Sequence, residues 1–162
     1  MVILMSVLLE TSIGEIVIDL FCDEAPLACQ NFLKLCKLKY YNNTLVHSVE
    51  KNHLAQFGDP TVGLSKAGSV VAENIKLPCS VFGIVTKDPA KRYFDDQISQ
   101  TRKFKGKGLV ATANLGPNLN TSTFFVTLTD DELPSLFKKH TIFGQVEEGL
   151  DVLEKLNSVY TH

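Results

Sequence analysis

Residues 113–125 read Ala113-Asn114-Leu115-Gly116-Pro117-Asn118-Leu119-Asn120-Thr121-Ser122-Thr123-Phe124-Phe125. This segment lies between two short apolar runs, residues 109–113 and 124–128, which have the length and composition of buried strands. Between the runs, asparagine, glycine and proline are frequent, and these residues favour turns. The sequence therefore predicts two core strands joined by a tightly turned polar loop.

The rest of the chain surrounds this pair of strands with other short elements. Residues 6–21 alternate in polarity and predict two strands around a turn at residues 12–14. A helix is predicted to begin near Pro26, because proline in the first turn removes a donor that would be unpaired anyway. Further short strands are predicted at residues 44–49, 54–57 and 141–146, and a late helix at residues 150–156. Residues 81–85 form another apolar run. The pattern predicts a mostly β protein, a closed β-barrel capped by two α-helices.

Length and composition indicate one soluble domain spanning residues 1–162. The net charge is -2, with 44% hydrophobic and 21% charged residues, which is ordinary for a globular fold. No apolar run approaches the roughly 20 residues needed to span a bilayer, so we expect no membrane association. The apolar start of the chain lacks a basic residue before Lys34 and is interpreted as a strand rather than a signal peptide.

The cysteines indicate a reducing compartment. Cys22, Cys29 and Cys36 are spaced seven residues apart, too far for a metal-binding pair or a disulfide within one helix, and Cys79 stands alone. We therefore expect free thiols and an intracellular protein, nuclear or cytoplasmic and not secreted.

One segment is distinctly basic. Residues 87–107 hold seven Lys and Arg side chains against three Asp, a local charge of +4. A solvated loop is the simpler interpretation, and a contact surface for an acidic partner or RNA is the alternative.

Ordered motifs along the chain resemble those of the cyclophilins. Residues 113–125 resemble a motif usually written ANxGPNTNGSQFF. The hairpin of residues 6–21 and the sequence of residues 31–42 look most like a nuclear subgroup of the family whose members carry a C-terminal RNA-recognition domain. The other matching segments are residues 6–21, Ala25-Pro26 with Asn31-Phe32, Tyr40-Tyr41-Asn42, His47, Gln56-Phe57-Gly58-Asp59-Pro60-Thr61, and His140-Thr141-Ile142-Phe143-Gly144-Gln145-Val146.

The resemblance implies a closed eight-stranded antiparallel barrel with a proline-binding pocket that catalyses cis/trans isomerisation of X-Pro bonds. That reaction has a barrier of about 18–20 kcal/mol and needs no metal or small-molecule cofactor. It needs an apolar pocket for the proline ring, polar groups for the flanking carbonyls, and a donor that favours a pyramidal prolyl nitrogen. The implied substrate-contacting residues are Gln56, His53, Leu54, Ala113, Asn114, Thr123, Phe125, Leu136 and His140.

The sequence departs from the family pattern where catalysis is concentrated. The family's catalytic arginine aligns with Ser48, whose short hydroxyl cannot replace a guanidinium. The aromatic floor of the pocket aligns with His53, a tryptophan with Ser135, and a glycine-rich loop with residues 62–68. A replacement cation from Arg92, Arg102 or Lys51 is a less favoured alternative, and cyclosporin binding is expected to be weak at most. His47 and His140 are interpreted as hydrogen-bonded core histidines rather than metal ligands or bases.

Two functional hypotheses follow from these observations. The first is a cyclophilin-type isomerase domain that binds X-Pro segments of client proteins with weak or absent catalysis. The alternative is a non-enzymatic interaction module of a nuclear ribonucleoprotein assembly that uses the basic segment 87–107. The family's final strand has no counterpart before His162, so we expect a fragment of a longer protein with the final C-terminal strand missing.

Overall fold

The computed structural model describes residues 5–59 and 78–158. These residues contain seven strands, three α-helices and two short 3-10 helices, at Pro89–Lys91 and Pro134–Leu136. The strands are β1 Met5–Thr11, β2 Gly14–Leu20, β3 Ser48–Glu50, β4 Leu54–Phe57, β5 Leu109–Thr112, β6 Phe124–Thr127 and β7 Ile142–Glu148, and the helices are α1 Pro26–Lys37, α2 Val81–Thr86 and α3 Leu150–Ser158.

All seven strands belong to one antiparallel sheet in the order β1-β2-β7-β5-β6-β4-β3. The sheet is curled into a half-barrel, and register shifts interrupt the ladders at Val17/Ile18 and Val110/Ala111, where such irregularities bend a strand. The prediction of a closed eight-stranded barrel is therefore met only in part among the described residues. The sequence predicts two α-helices, and the described residues contain three.

The two faces of the sheet hold separate apolar cores, because successive side chains of a strand point to opposite faces. The larger core contains Phe124 and Val126 of β6, with residues of α1 and α3 packed on it. The smaller core contains Phe125 of β6. Other strands alternate in the same way: Ala55 and Phe57 belong to the larger core and Leu54 to the smaller, and Val110 belongs to the larger core while Leu109 and Ala111 belong to the smaller.

Helix α1 anchors the larger core. Pro26 stands in its first turn, as predicted. Phe32 is buried in the larger core, and Leu35 is buried in a separate cluster with Tyr40 and Val81. Its buried Asn31 donates to the carbonyl of Thr121 at 3.2 Å and accepts from the N–H of Val81 at 2.8 Å. Helix α1 is thereby tied to both α2 and the loop before β6.

The apolar run at residues 81–85, to which the sequence assigns no element type, forms helix α2. Ser80 caps the helix by accepting from the N–H of Gly83 at 3.4 Å, and Lys87 ends it in a left-handed conformation with φ 54°. An apolar run of this length fits either a strand or a buried helical turn. Here the Ser80 cap and the hydrogen bond from the Val81 N–H to the Asn31 side chain favour the helix.

Two further findings concern the described residues. None of their helices is long and apolar enough to cross a membrane. Their four cysteines are free: Cys29 and Cys79 are buried, and Cys22 and Cys36 are partly exposed.

Candidate functional site

A cavity of about 330 Å³ opens on the side of the sheet that carries the smaller core. Strands β4 and β6 supply its floor, and the loops after β5, before β6 and before β7 supply its rim. Its lining consists of His47, Leu54, Gln56, Asp59, Pro78, Ala113, Asn114, Leu115, Thr121, Thr123, Phe125, Leu136 and His140.

One wall of the cavity is apolar and firmly supported. Phe125 is only 2% exposed, and the ring of His140 meets it edge-on at a centroid distance of 5.2 Å. Phe104, also 2% exposed, stacks on Phe125 at 5.9 Å and contacts His140 edge-on at 6.4 Å. Leu54 and Leu136 complete this cluster. The wall offers a flat, dry surface to a small apolar ring.

The opposite rim is polar and is held in place by hydrogen bonds. The side-chain amide of Asn114 donates to the carbonyl of Lys139 at 2.7 Å. The N–H of Ala113 donates to the carbonyl of Thr123 at 3.0 Å, and the hydroxyls of Thr121 and Thr123 lie 3.2 Å apart. The rim thus places the side-chain amides of Gln56 and Asn114 and the hydroxyls of Thr121 and Thr123 around the apolar wall.

His140 is a hydrogen-bonded histidine at the edge of the cavity, as predicted. Its Nδ1 lies 2.9 Å from the carbonyl oxygen of Thr112, which requires the proton to be on Nδ1. Burial lowers the pKa of His140 below its ordinary value, because a desolvated ring disfavours the charged form, and the Thr112 carbonyl opposes this only in part. The ring is therefore neutral near pH 7 and acts as part of the wall.

The structure does not bring Ser48 or His53 to the cavity. Ser48 is paired with Gln56 across the β3–β4 ladder, but only Gln56 belongs to the lining, because a serine side chain is too short to reach it. His53 follows a tight turn at Asn52, and its Nδ1 lies 2.5 Å from Glu50 Oε2. The expectation that His53 forms the floor is corrected accordingly: its ring is held by Glu50, and Phe104 packs behind the wall instead.

His47 differs from its predicted state, a hydrogen-bonded core histidine. It lines the cavity, and its Nδ1 is buried without a hydrogen-bond partner. Its backbone N–H donates to the carbonyl of Gln56 at 3.2 Å, which fixes the residue beside the rim.

Sequence reasoning identifies eight of the thirteen lining residues. Asp59 and Leu115 lie close in sequence to predicted site residues, so their position within the motifs is the signal that could have identified them as lining residues. No such signal exists for Phe104, which enters from a basic segment far from β6 in sequence. The glycine-rich loop equivalent, residues 62–68, lies outside the described residues, and Ser135 is exposed and absent from the lining.

No Lys or Arg belongs to the part of the lining that the structure describes. Arg92 donates through Nε to the carbonyl of Pro78 at 3.0 Å. Arg102 makes a two-pronged contact with Glu24, at 2.8 and 2.6 Å, and its guanidinium lies 4.0 Å from the Phe21 ring centre. Lys51 is exposed at the β3–β4 turn. None of the three proposed replacement cations therefore reaches the cavity.

The basic segment 87–107 is partly neutralised by its surroundings. Besides the Arg102–Glu24 contact, Lys107 pairs with Glu154. Lys103 lies 3.9 Å from Glu132. Three of its seven cations thus face carboxylates of other segments, which reduces the free positive charge that the sequence count suggests. Among residues 5–59 and 78–158, no cluster of three or more His, Cys, Asp or Glu side chains could hold a metal ion.

Comparisons with known proteins agree with this architecture. The family model described as "Cyclophilin type peptidyl-prolyl cis-trans isomerase/CLD" matches residues 6–162. Two similar proteins are peptidyl-prolyl cis-trans isomerase CYP59 of Arabidopsis thaliana, 47% identical over 156 residues, and peptidyl-prolyl cis-trans isomerase-like 4 of Homo sapiens, 42% identical over 156 residues. Each alignment covers 96% of this chain but only 28% and 29% of those proteins, so the chain spans less than a third of their length.

A solved structure is also similar. The crystal structure of a cyclophilin type peptidyl-prolyl cis-trans isomerase of Cryptosporidium parvum superposes with a TM-score of 0.80 at 32% identity, covering 99% of this chain and 88% of that one. The same protein was solved in the presence of the dipeptide Ala-Pro, with a TM-score of 0.79. The match of the family model to nearly the whole chain, with the fold to support it, means that this chain belongs to the cyclophilin-type peptidyl-prolyl cis-trans isomerase family.

Proposed function

We propose that the cavity binds X-Pro segments of client proteins, with the proline ring against Phe125, Leu54 and Leu136. The observation that carries this proposal is the convergence of eight residues named from the sequence around one cavity with an apolar wall and a polar rim. A relative of similar fold was solved in the presence of Ala-Pro, which agrees with a ligand of this size and chemistry.

The rim is suited to an extended peptide. Proline has no N–H, so an X-Pro segment presents mainly carbonyl oxygens near its ring. The amides of Gln56 and Asn114 supply donor groups at the rim. We expect Gln56, together with the Ala113–Asn114 backbone, to orient the peptide carbonyls while the wall excludes water from the ring.

We further propose that catalysis is weak or absent. Position 48 carries serine instead of the family's arginine, and the described lining offers no other cation. Removing one preorganised donor from a catalytic site costs on the order of 10²–10³ in rate. The domain would then hold an X-Pro segment more effectively than it turns the bond over.

Restoring the missing donor tests this proposal. Exchange spectroscopy on a blocked tetrapeptide with a central Ala-Pro should give little turnover for the unsubstituted chain and an increase for Ser48→Arg. Ser48→Ala is the matched control and should leave turnover unchanged. Turnover of the unsubstituted chain at the rate of arginine-containing cyclophilins would reject weak catalysis. Peptide affinity that is unaffected by Phe125→Ala would reject the binding site itself.

The alternative function, a nuclear ribonucleoprotein contact through residues 87–107, has less support because three of the seven cations face carboxylates. Reversing the charge of Lys103, Lys105 and Lys107 tests it: loss of binding to an RNA–protein assembly, with X-Pro binding intact, would favour this alternative. Position 135 carries serine where the family has tryptophan, so we expect weak cyclosporin binding at most. The free thiols favour a reducing compartment.

The closed eight-stranded barrel stays a prediction, and it requires a further strand to pair with the free edge of β1. Among the described residues β1 pairs only with β2, and Leu8 is 50% exposed. An eighth strand along this edge would protect the outward amides of β1 from hydrogen exchange. Fast exchange of those amides in a longer form of the protein would contradict closure.

A further inference from the structure

The described residues form a second concavity, a groove of about 420 Å³ between α1, α2 and the 3-10 helix at Pro89–Lys91, which we call the α1–α2 groove. Its lining shares no residue with the cavity beside Phe125. Phe94, which lines the groove, belongs to the larger core, whereas the cavity lies on the side of the smaller core. A partner in the groove would therefore leave the proline-binding cavity open.

The walls of the α1–α2 groove are fixed by hydrogen bonds in the free protein. Ser80, which caps α2, donates through Oγ to the carbonyl of Lys91 at 2.8 Å. The N–H of Val81 donates to the side chain of Asn31 in α1 at 2.8 Å. Because both neighbours of α2 are tied to it, binding in the groove does not require the helices to separate.

The surface that the groove exposes is apolar and mainly aliphatic. Val85, in the last turn of α2, is 66% exposed, and Leu27 of α1 is 37% exposed. Phe82 lies half-buried in the same lining and packs edge-on against Phe94 at a centroid distance of 6.1 Å. Exposed apolar side chains gathered in a concave surface gain free energy when a partner covers them.

The groove also carries cations that the described part of the chain leaves unpaired. Lys34 of α1 and Lys91 of the 3-10 helix line the groove and are exposed. The ion pairs among the described residues involve neither, whereas Arg102, Lys103 and Lys107 all face carboxylates of other segments. The cations of the basic segment without a carboxylate partner therefore lie mostly at its start, beside the groove.

Apolar contacts bordered by cations fit a protein segment that carries apolar side chains among Asp and Glu residues, because opposite charges attract and orient such a partner. Single-stranded RNA fits less well, since it binds by stacking its bases on aromatic rings. The ring of Tyr93 already has the Arg92 guanidinium 5.0 Å from its centre. Asp95, which also lines the groove, would repel a phosphate.

We propose that the α1–α2 groove docks a short acidic segment of another protein. The apolar side chains of that segment contact Leu27, Phe82 and Val85, and its carboxylates lie beside Lys34 and Lys91. This inference goes beyond the proposed function, because it assigns a second partner that binds independently of an X-Pro segment.

The test titrates the ¹⁵N-labelled chain with the blocked, proline-free peptide Asp-Glu-Leu-Asp-Glu-Leu-Phe-Glu-Asp. Backbone amide shifts should change in α1, in α2 and at residues 89–95, and those of Ala113 and Asn114 should stay as they are. Three probes serve as controls and should leave the groove shifts unchanged: the same peptide with Lys at every Asp and Glu, the same peptide with Ser at every Leu and Phe, and octauridylate.

A substitution on the apolar surface checks the position of the contact. Val85→Asp should weaken binding of the acidic peptide by about tenfold or more, because it sets a carboxylate against apolar side chains. Leu45→Asp is the matched control: Leu45 is 53% exposed and lies outside the lining of both the groove and the cavity. It should bind like the unsubstituted chain.

Charge reversal checks the role of the cations. Lys34→Glu combined with Lys91→Glu should weaken binding by about three- to thirtyfold, because each removes an exposed ion pair and adds repulsion. Lys103→Glu combined with Lys105→Glu makes the same change in net charge elsewhere on the basic segment and should have a much smaller effect. Higher ionic strength should also weaken binding of the acidic peptide.

The shift map uses the unsubstituted chain, so it stands even where a variant fails to fold. Groove shifts that do not respond to the acidic peptide, an equal response to the lysine peptide, or equal affinities of Val85→Asp and Leu45→Asp would overturn the inference. A larger response to octauridylate would overturn it in favour of RNA. Self-association that Val85→Asp abolishes would overturn it in favour of a second copy of the chain. A blocked Ala-Pro tetrapeptide added to the same samples tests the proposed function separately, since failure of that peptide to bind would leave the groove result standing.

Discussion

His140 and His47 lie at the same cavity in opposite hydrogen-bonding states. His140 donates to the Thr112 carbonyl and packs edge-on against Phe125, so its polar and apolar parts are both satisfied. His47 has a buried Nδ1 with no partner. The first arrangement stabilises the folded protein, and the second leaves a buried polar atom unpaired.

The state of His140 predicts a pH dependence of stability. Its pKa in the folded chain is lowered, chiefly by burial, so the unfolded chain takes up the proton first, near pH 6.5. The contribution to stability is therefore complete above that pH and is lost as the pH falls from there through the lower folded pKa. Denaturant unfolding between pH 7.5 and pH 5 should show a smaller loss of unfolding free energy for His140→Asn than for the unsubstituted chain.

Asparagine is chosen for this test because its amide can still donate to the Thr112 carbonyl. His53→Asn is the control, since it removes a partly exposed histidine that does not contact His140. Identical pH profiles for His140→Asn and the unsubstituted chain would show that His140 does not cause the loss of unfolding free energy at acidic pH.

At the scale of elements, the cavity depends on how the end of β4 meets the loop before β6. Ser122 donates through Oγ to the Gly58 carbonyl at 2.8 Å, and Tyr41 OH donates to the Ser122 carbonyl at 2.8 Å. Gly58 has φ +85°, and a Cβ there would lie 2.6 Å from the Ser122 carbonyl oxygen. Only glycine permits both the backbone conformation and this close approach.

Gly58→Ala should therefore destabilise the chain strongly. The positive φ alone costs on the order of 1–3 kcal/mol for a residue with a side chain, and the clash with the Ser122 carbonyl oxygen and the Tyr41 ring adds to it. Gly106→Ala is the matched control, because Gly106 has φ +103° but a Cβ there would meet no atom within 4 Å. Chemical denaturation should give a larger loss for Gly58→Ala than for Gly106→Ala, and equal losses would mean that the loop moves without cost.

At the scale of the whole molecule, the two apolar cores on opposite faces of the sheet have different roles. The larger core joins the sheet to α1 and α3, and the smaller core supports the cavity wall. The basic segment contributes a phenylalanine to each: Phe94 packs in the larger core, against Phe82, and Phe104 packs behind Phe125. This segment therefore has a structural role that its charge does not suggest.

These two phenylalanines predict separable effects on stability and binding. Phe104→Leu and Phe94→Leu should each lower the free energy of unfolding by about 0.5–3 kcal/mol, since both remove buried aromatic contacts. Only Phe104→Leu should also weaken binding of the Ala-Pro peptide, because Phe104 holds the wall in place. Calorimetric melting and peptide titration measure the two quantities, and equal affinities for both variants would contradict the role of Phe104 in supporting the cavity wall.

The amino-acid sequence by itself determined most of the local elements and the ordered motifs that they carry. Alternation in residues 6–21 predicts the hairpin and Pro26 predicts the start of α1, because turn chemistry and periodicity act over a few neighbouring positions. The cavity residues within 113–125 are implied by the resemblance of that segment to the cyclophilin motif. The apolar run at residues 81–85 leaves the element type open, because its length fits a strand or a helix equally well.

Only the tertiary structure decided what depends on contacts between distant segments. It set Phe104 behind Phe125, turned His53 toward Glu50, paired Arg102 with Glu24, and left His47 Nδ1 without a partner at the cavity. The physical reason is that packing, desolvation and the pairing of polar groups are properties of a completed three-dimensional neighbourhood, whereas a motif fixes only the residues within it.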